Sequence, residues 1–233
     1  MTSQIPMDRS VIAQSASKGA VQEVLNDIAY RRLGIVNVVF LGTADQWVLV
    51  DAGLSGSASF IRSAAEGRFG RNMPPAAIVL THGHFDHVGA VQQLADGWQV
   101  PIFAHPLEQS YLDGSSSYPP PNPRVGGGLM TMAAPLYPRG PIDVRRRLKS
   151  LPQDGAVPGL EGWRWLHTPG HSPGHVSLWR EKDRSLIAGD AVITTVRNLP
   201  IPSLRSGPSC TGLQCTTPPT GNGPMSQSCS LHP

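Results

Sequence analysis

The sequence predicts a layered α/β fold, and three observations support this prediction. Apolar runs typical of strands alternate with helix-like segments between residues 35 and 104. Polar clusters rich in His and Asp follow directly after apolar runs, where α/β proteins gather their ligands. The chain has 233 residues, of which 39% are hydrophobic, enough for one sizeable core. We therefore expect one globular α/β domain in the body of the chain.

The first elements follow one another at short intervals. Residues 35–41 (IVNVVFL) and 46–50 (QWVLV) are typical of two strands joined by a tight turn. Residues 59–69 have the apolar spacing of a helix, and Ser57 is placed to cap it. Residues 76–80 (AAIVL) are entirely apolar, which favours a strand that is buried on both faces.

The later elements continue the alternation. We expect helices at 89–95 and 143–151 and strands at 100–104, 163–167, 176–180 and 185–188. Residues 113–141 are rich in Gly, Pro and Ser, and a long insert of this kind is typical of a functional loop or a lid. Two side issues stay open. One is whether three tyrosines near the insert (Tyr111, Tyr118 and Tyr137) line a pocket. The other is whether the basic run of Arg145, Arg146, Arg147 and Lys149 binds an anionic substrate or lies on a solvated helix face.

The end of the chain differs in composition from the body. All three cysteines (Cys210, Cys215 and Cys229) lie there, and residues 196–233 contain no Asp, Glu or aromatic residue. Such a segment cannot bury enough apolar surface, so we expect disorder. Reading freely chosen codons one nucleotide earlier restores aromatic and acidic residues. We therefore interpret 196–233 as an out-of-frame tail after a shift near Val196; stop codons in the shifted frame would contradict this.

Composition also excludes several classes of protein. The net charge of +3 argues against a dedicated nucleic-acid binder. The sequence contains no run of about 18 apolar residues, so we expect no membrane span. Residues 1–10 contain Asp8 and Arg9 and no apolar stretch, so we expect no secretory signal in them. We expect a cytoplasmic protein.

The chemistry is concentrated in one short motif and two later positions. His82-x-His84-x-Asp86-His87 places four potential metal ligands within six residues, directly after an apolar strand. His171 and Asp190 follow at long range, each in a polar element next to a predicted strand. Imidazole and carboxylate together suit zinc, and also iron or manganese.

These residues resemble a known family. THGHFDH, TPGHSPGH and AGD, preceded by VLVDAG, closely resemble the metallo-β-lactamase fold superfamily. The resemblance covers residues 30–195, with 1–29 as an N-terminal lead-in. It implies a four-layer αβ/βα sandwich with the metal site at one edge of two packed sheets. The second half of that sandwich would be incomplete here, because the sequence after residue 195 departs from the family.

The resemblance also implies a role for each residue. His82, His84 and His171 would bind one zinc ion, Asp86 and His87 a second, and Asp190 would bridge the two. Asp51 and His175 would support the ligands without touching metal. The family expects a further His on the second ion, in an element after the bridging Asp. The only later histidine is His232, which we do not assign to that role.

The implied function is hydrolysis of a small molecule such as an ester, thioester or lactone by a metal-bound hydroxide. Asp86 or Asp190 would orient the hydroxide and later carry a proton, so they are the catalytic candidates. Two alternatives stay open: an iron-dependent oxidoreductase like persulfide dioxygenases, and an inactive metal-binding protein that lacks a ligand. We expect neither a nucleic-acid nor a membrane partner; the oligomeric state stays open.

Overall fold

The computed structural model describes residues 20–119 and 137–192. Both ranges belong to the first of the chain's two compact units. Their strands are β1 (Val21–Leu25), β2 (Ile28–Leu33), β3 (Val36–Thr43), β4 (Gln46–Val50), β5 (Ala77–Val79), β6 (Ile102–Ala104), β7 (Leu148–Ser150), β8 (Ala156–Val157), β9 (Leu160–His167), β10 (Val176–Arg180) and β11 (Ser185–Ile187). Their α-helices are α1 (Ala58–Phe69), α2 (Phe85–Val88), α3 (Val91–Trp98) and α4 (Gln109–Leu112). Two 3₁₀ turns cover Pro106–Glu108 and Gly189–Ala191.

The first sheet has seven strands in the order β1 to β7. Strands β1 to β4 form an antiparallel meander, and β4 to β7 pair in parallel. Because β4 and β5 run in the same direction, the segments that follow them leave the sheet at the same edge. The predicted ligand motif follows β5, and Asp51 follows β4, so this topology brings the two together.

Helices α1 and α3 cover one face of this sheet. Their buried residues, among them Ile61 and Leu94, pack into a core with the side chains of β3 and β4. Trp47 lies at the centre of this core, stacked on Phe69 with a centroid separation of 4.3 Å and edge-on to Trp98 at 5.9 Å. Such aromatic clusters bury a large apolar area and therefore hold the helix layer on the sheet.

The second sheet packs against the other face of the first. Its four antiparallel strands have the order β11-β10-β9-β8. A second core lies between the sheets and includes Trp163, Val176 and Leu178 from the second sheet. Arg180 stacks on Trp163 at 4.7 Å and pairs with Asp27, which lies between β1 and β2, so an ion pair also joins the sheets.

The outer face of the second sheet is more open. Leu166 and Leu186 leave 42% and 50% of their surface exposed there. Within residues 20–119 and 137–192, the layers are therefore helices, the seven-stranded sheet and the four-stranded sheet. The same ranges contain no helix long and apolar enough to cross a lipid bilayer.

Several predicted elements are confirmed. The strands at 46–50 and 176–180 have the predicted bounds, and those near 35–41, 76–80 and 163–167 differ by a few residues. Helix α1 is also present, although the Ser57 side chain makes no capping hydrogen bond. The insert residues 120–136 and the tail interpreted as out of frame lie outside the described residues, so those interpretations stay predictions.

One predicted element is wrong, and another has shifted bounds. The helix expected over 143–151 is a turn followed by β7, because this segment pairs in parallel with β6, and Ile102 N donates to Arg147 O at 2.9 Å. The helix expected over 89–95 is present as α3, which begins two residues later, at Val91, and ends at Trp98; Gly89 lies between α2 and α3. A Cβ on Gly89 would lie 2.1 Å from the backbone nitrogen of Ser55, so the chain needs glycine at this crossing. Strands β1, β2 and β8 were not predicted, and β1 lies within the expected lead-in.

Candidate metal centre

The structure gathers the predicted ligands from both sheets at one edge. His82, His84, Asp86 and His87 lie in the segment between β5 and the end of α2. His171 lies in the loop between β9 and β10, and Asp190 in the 3₁₀ turn after β11. The six residues predicted as ligands therefore meet in space although they are spread over 109 positions (82 to 190) in the sequence.

Three histidines form one ligand group. A nitrogen from each of His82, His84 and His171 lies within 4.8 Å of the other two. The His84 Nδ1 and His171 Nε2 atoms are 2.9 Å apart. Ligand atoms around a tetrahedral ion with bonds of about 2.0–2.1 Å lie about 3.3 Å apart, so small adjustments would let all three bind one ion.

A second group shares His82 with the first. It consists of His82, His87 and Asp190, whose candidate ligand atoms also lie within 4.8 Å of one another. One oxygen of Asp190 lies 3.5 Å from His87 Nε2, and the other lies 3.4 Å from His171 Nε2. Asp190 thus faces both groups. Asp86 Oδ2 is 3.9 Å from His87 Nε2, on the side of the second group.

His82 supplies direct evidence that the cluster fits a metal ion. The residue is fully buried, and its Nδ1 lies 3.0 Å from the Thr81 hydroxyl. Its Nε2 is buried and has no hydrogen-bond partner among the residues that the structure describes. Burial, followed by the charges of His87 and His84, holds the pKa of His82 well below its ordinary value. A neutral imidazole with a buried free nitrogen is the state that ligates metal.

Comparison with known proteins agrees with this geometry. The family profile described as the metallo-beta-lactamase superfamily matches residues 31–220. The chain belongs to the metallo-beta-lactamase superfamily. Members of the superfamily bind divalent metals, so the family and the His/Asp cluster point to the same kind of site.

Two relatives from Bacillus subtilis (strain 168) share much of the sequence. The chain is 43% identical over 183 residues to the probable metallo-hydrolase YflN, covering 77% of this chain and 69% of the relative. It is 34% identical over 172 residues to the probable metallo-hydrolase YybB, covering 73% and 68%. These similarities support a metal-dependent hydrolase in general.

A solved structure supports the fold. A Cronobacter sakazakii metallo-beta-lactamase with a HARLDQ motif aligns with a TM-score of 0.52 at 23% identity. The alignment covers 68% of this chain and 58% of that one, so the chain spans less than two thirds of the solved protein. The predicted metallo-β-lactamase-like mixed α/β fold is confirmed.

In this chain of the metallo-beta-lactamase superfamily, Asp51 is hydrogen-bonded to the segment that carries the first predicted ligands. Its carboxylate accepts hydrogen bonds from Thr81 N and Thr81 Oγ1, each at 2.8 Å, and lies 2.8 Å from His87 Nδ1. The bond to Nδ1 leaves His87 Nε2 directed at the carboxylates of the second group. Asp51 also has a φ of 62°, the left-handed region that side chains other than glycine rarely adopt.

His175 is hydrogen-bonded to Asp190 at the other side of the site. It is fully buried, its Nδ1 lies 2.9 Å from the Thr168 hydroxyl, and its Nε2 accepts a hydrogen bond from Asp190 N at 3.0 Å. Gly189 has a φ of 55°, and a Cβ there would lie 2.8 Å from His175 Nε2. The supporting roles of Asp51 and His175 stay predictions. Metal ligation by the six predicted residues stays a prediction.

The charges in the site are strongly coupled. Burial and the neighbouring His171 lower the pKa of His84 to about 3. Burial opposes ionisation of Asp190, but the hydrogen bond and charge of His87 outweigh it and lower the pKa of Asp190 to about 2. Burial also opposes ionisation of His87, which for a histidine lowers the pKa. The charges of Asp51 and Asp190 outweigh burial and raise the pKa of His87 well above its ordinary value.

Sequence reasoning missed one buried residue at the site, Glu108. Its side chain is fully buried and bonded to both loops that carry the histidines. One available signal was that Glu108 lies four residues before the buried Leu112, on the apolar side of a short helical segment. Tyr118, considered only as a pocket residue, donates its hydroxyl hydrogen to Glu108.

The side issues in the sequence are partly resolved. Arg145 pairs with Asp143 and Arg147 with Asp96, so two members of the basic run have local partners. Tyr118 packs against the ring of His84 at 4.5 Å, next to the candidate metal centre, and stacks on Tyr111. The cysteines and His232 lie outside the described residues.

Proposed function

We propose that the chain is a zinc-dependent hydrolase that acts on an ester, thioester or lactone bond of a small molecule. The observation that carries the proposal is the unpartnered, buried Nε2 of His82, which belongs to both ligand groups. His82, His84 and His171 would bind one ion, while Asp86, His87 and Asp190 would bind a second. Nitrogen-rich donor sets with carboxylates are typical of zinc sites.

A bound zinc ion supplies Lewis acidity, which activates water for attack and stabilises charge on the oxygen of the attacked carbonyl. The chain supplies the groups that manage the proton. Burial raises the pKa of the Asp86 carboxyl above its ordinary value. We infer that Asp86 Oδ2 accepts a proton from the attacking water and returns it to the leaving group. Asp190, with one oxygen toward each ligand group, orients that water.

Two features favour an uncharged acyl substrate. Aromatic rings flank the motif: Tyr118 packs on His84, and Phe85 lies 5.2 Å from Tyr137. Every arginine ion pair in the described ranges joins residues outside the ligand cluster. Phosphoryl-transfer sites use cationic clamps on the phosphate oxygens, so this arrangement suits a carbonyl centre better than a phosphodiester.

The test is hydrolysis by the full chain, purified without metal and then loaded with zinc. The panel contains p-nitrophenyl esters, a thioester, a lactone, a β-lactam and a bis-p-nitrophenyl phosphodiester. We expect turnover of at least one of the first three, its loss on chelation and its return with zinc. Phe85→Ala should raise KM more than it lowers kcat. Turnover that survives complete chelation, or turnover of the phosphodiester alone, would contradict the proposal.

The same preparation tests the iron-dependent alternative. The chain is loaded with Fe²⁺ and supplied with a low-molecular-weight persulfide while oxygen uptake is recorded. Under our proposal, oxygen uptake stays at the level of the free metal, and hydrolysis follows zinc content. Persulfide-dependent oxygen uptake without any ester, thioester or lactone hydrolysis would favour the oxidoreductase instead.

A further inference from the structure

Glu108 is a fully buried carboxylate at the end of the 3₁₀ turn Pro106–Glu108, which follows β6. Removing a carboxylate from water is costly unless several donors or a cation compensate for the lost hydration. Among the described residues, no lysine or arginine forms an ion pair with it; every salt bridge there involves other acids. Its compensation must therefore come from hydrogen-bond donors.

The four donors come from three segments: the loop after β5, the segment after α4 and the loop between β9 and β10. Glu108 Oε2 accepts from Gly83 N at 3.0 Å and from the Tyr118 hydroxyl. Glu108 Oε1 accepts from the Ser172 hydroxyl at 2.8 Å and from Gly174 N at 2.6 Å. Oε2 therefore bonds to the loop that carries His82 and His84, and Oε1 bonds to the loop that carries His171.

Three of these donors lie within three residues of a candidate ligand in the sequence. Gly83 lies between His82 and His84, so its N–H fixes the peptide that joins two of the three histidines. Ser172 follows His171 directly, and Gly174 lies two residues further on. A metal ion bound by the three histidines would join these two loops. Glu108 joins the same two loops through hydrogen bonds to their backbone and to Ser172.

The backbone is shaped to admit this carboxylate. A Cβ on Gly174 would lie 2.7 Å from Glu108 Cγ, and a Cβ on Gly83 would lie 2.7 Å from the Tyr118 hydroxyl oxygen. Both positions thus need glycine for Glu108 and Tyr118 to approach the loops. Burial and then the charge of Glu108 raise the pKa of Tyr118, so its hydroxyl stays protonated and remains a donor.

We propose that Glu108 is a positioning residue that sets the distance between the His82–His84 loop and the His171 loop for one metal ion. This role rests on the proposed function, since it requires that the three histidines bind metal. Hydrogen-bond partners behind metal ligands change metal affinity by about 10- to 100-fold when they are removed. Glu108 acts on two ligand loops at once, so we expect its effect to lie in that range.

The experiment compares Glu108→Gln with wild type in the full chain, using Co²⁺ as the probe ion. Glutamine keeps the size of the side chain but turns one acceptor oxygen into an NH₂ group that faces existing donors. We expect Co²⁺ affinity, measured by competition with a chromophoric chelator, to fall by about 10- to 100-fold. The visible d–d bands of the bound Co²⁺ should shift in position or intensity, because the histidine geometry changes.

Three further variants separate positioning from general stability. Tyr118→Phe removes one of the four donors and should weaken Co²⁺ binding less than Glu108→Gln does. Leu94→Ala destabilises the helix-side core and should lower the thermal midpoint with unchanged Co²⁺ affinity and bands. Glu161→Gln neutralises an exposed acid on β9 and should behave as wild type.

The outcomes distinguish the two proposals. Equal Co²⁺ affinities and bands for wild type and Glu108→Gln would overturn the role of Glu108 and leave the hydrolase proposal intact. An affinity loss in Leu94→Ala as large as that in Glu108→Gln would show that lost stability alone explains the effect, and would also overturn it. Wild-type protein that takes up no metal would contradict the proposed function and the role of Glu108 with it.

Discussion

The two sheets differ in how completely they are covered, and the site is divided between them. Strands β4 and β5 of the seven-stranded sheet lie between the helix layer and the second sheet, and nearly every residue in them is buried. The four-stranded sheet buries its inner face, while its outer face exposes Leu166 and Leu186 within the described ranges. Each sheet contributes part of the candidate metal centre.

The predicted ligands differ in exposure in the same way as the sheets that carry them. The side chain of His87, beside the seven-stranded sheet, is 4% exposed, whereas those of His171 and Asp190 are 31% and 33% exposed. Buried side chains are fixed by packing, while side chains that are one-third exposed depend on a few hydrogen bonds. We therefore expect substitutions near the first sheet to affect folding and metal binding together. Substitutions near the second sheet should affect metal binding with less effect on folding.

The largest effect should follow from His82→Ala, because His82 belongs to both ligand groups. Its loss removes a metal ligand, so metal affinity should fall by more than the roughly 100-fold that the loss of a supporting residue can cause. Metal content after dialysis, measured by mass spectrometry, checks this. His167→Ala is the control, since His167 is exposed and lies outside both groups. Full metal content in His82→Ala would remove the basis for the site.

The comparison of Asp51→Asn with Asp190→Asn tests the division of the site directly. Asn tolerates the left-handed backbone of position 51, so the variant changes only the carboxylate. Because Asp51 is buried and hydrogen-bonded to Thr81 and His87, we expect unfolding free energy to fall by about 3 kcal/mol. Asp190→Asn should cost less than about 1 kcal/mol because its side chain is one-third exposed.

Urea unfolding of the metal-free proteins measures both changes. Equal losses of unfolding free energy in the two variants would contradict the division into a buried and an exposed half.

Leucine truncations test the same contrast away from the site. Leu178 is fully buried between the sheets, so Leu178→Ala should lower the unfolding free energy by about 2–5 kcal/mol. Leu186 is 50% exposed on the outer face, so Leu186→Ala should change it by no more than about 0.5 kcal/mol. Thermal and urea unfolding of the pair are the measurements. A large loss for Leu186→Ala would mean that the outer face is covered in the full chain.

The smallest effect concerns the ion pair between the sheets. The hydrogen bond from Arg180 holds the pKa of Asp27 below 3.8, its ordinary value, against the opposing effect of burial. The pair therefore stabilises the fold above about pH 4 and loses this contribution as pH falls through the lowered pKa of Asp27. Asp27→Asn should cost about 1 kcal/mol or less at pH 7.

Unfolding curves of Asp27→Asn and wild type across pH 2–7 check this sign. The difference between the two proteins should shrink toward zero at the acid end. A difference that grows as pH falls would show that another group is responsible.

Local sequence patterns sufficed for much of the fold. The apolar runs that became β3, β4 and β5 carry their own signal, and the spacing of His82, His84 and His87 defines half of the site. His171 and Asp190 are candidates because each lies next to a predicted strand, but only the family resemblance assigns them a role, since no local pattern ties them to the first motif.

The errors arose where distant partners decide the structure. The Val144–Ser150 region has the charges of a solvated helix, but it completes a sheet whose neighbouring strand, β6, lies more than 40 residues earlier. The role of Glu108 could not be predicted for the same reason, because its hydrogen-bond donors are residues 83, 118, 172 and 174. A single buried carboxylate shows no pattern until those segments meet.

The backbone of Asp51 has a consequence for mutational tolerance. At a φ of 62°, only Gly, Asn and Asp are accommodated readily, and of these three only Asp carries a carboxylate for Thr81 and His87. A library with all amino acids at position 51 should therefore give different survivors under two selections. Selection for folded protein would retain a small set of residue types, and selection for metal-dependent turnover would narrow that set to the residue already present.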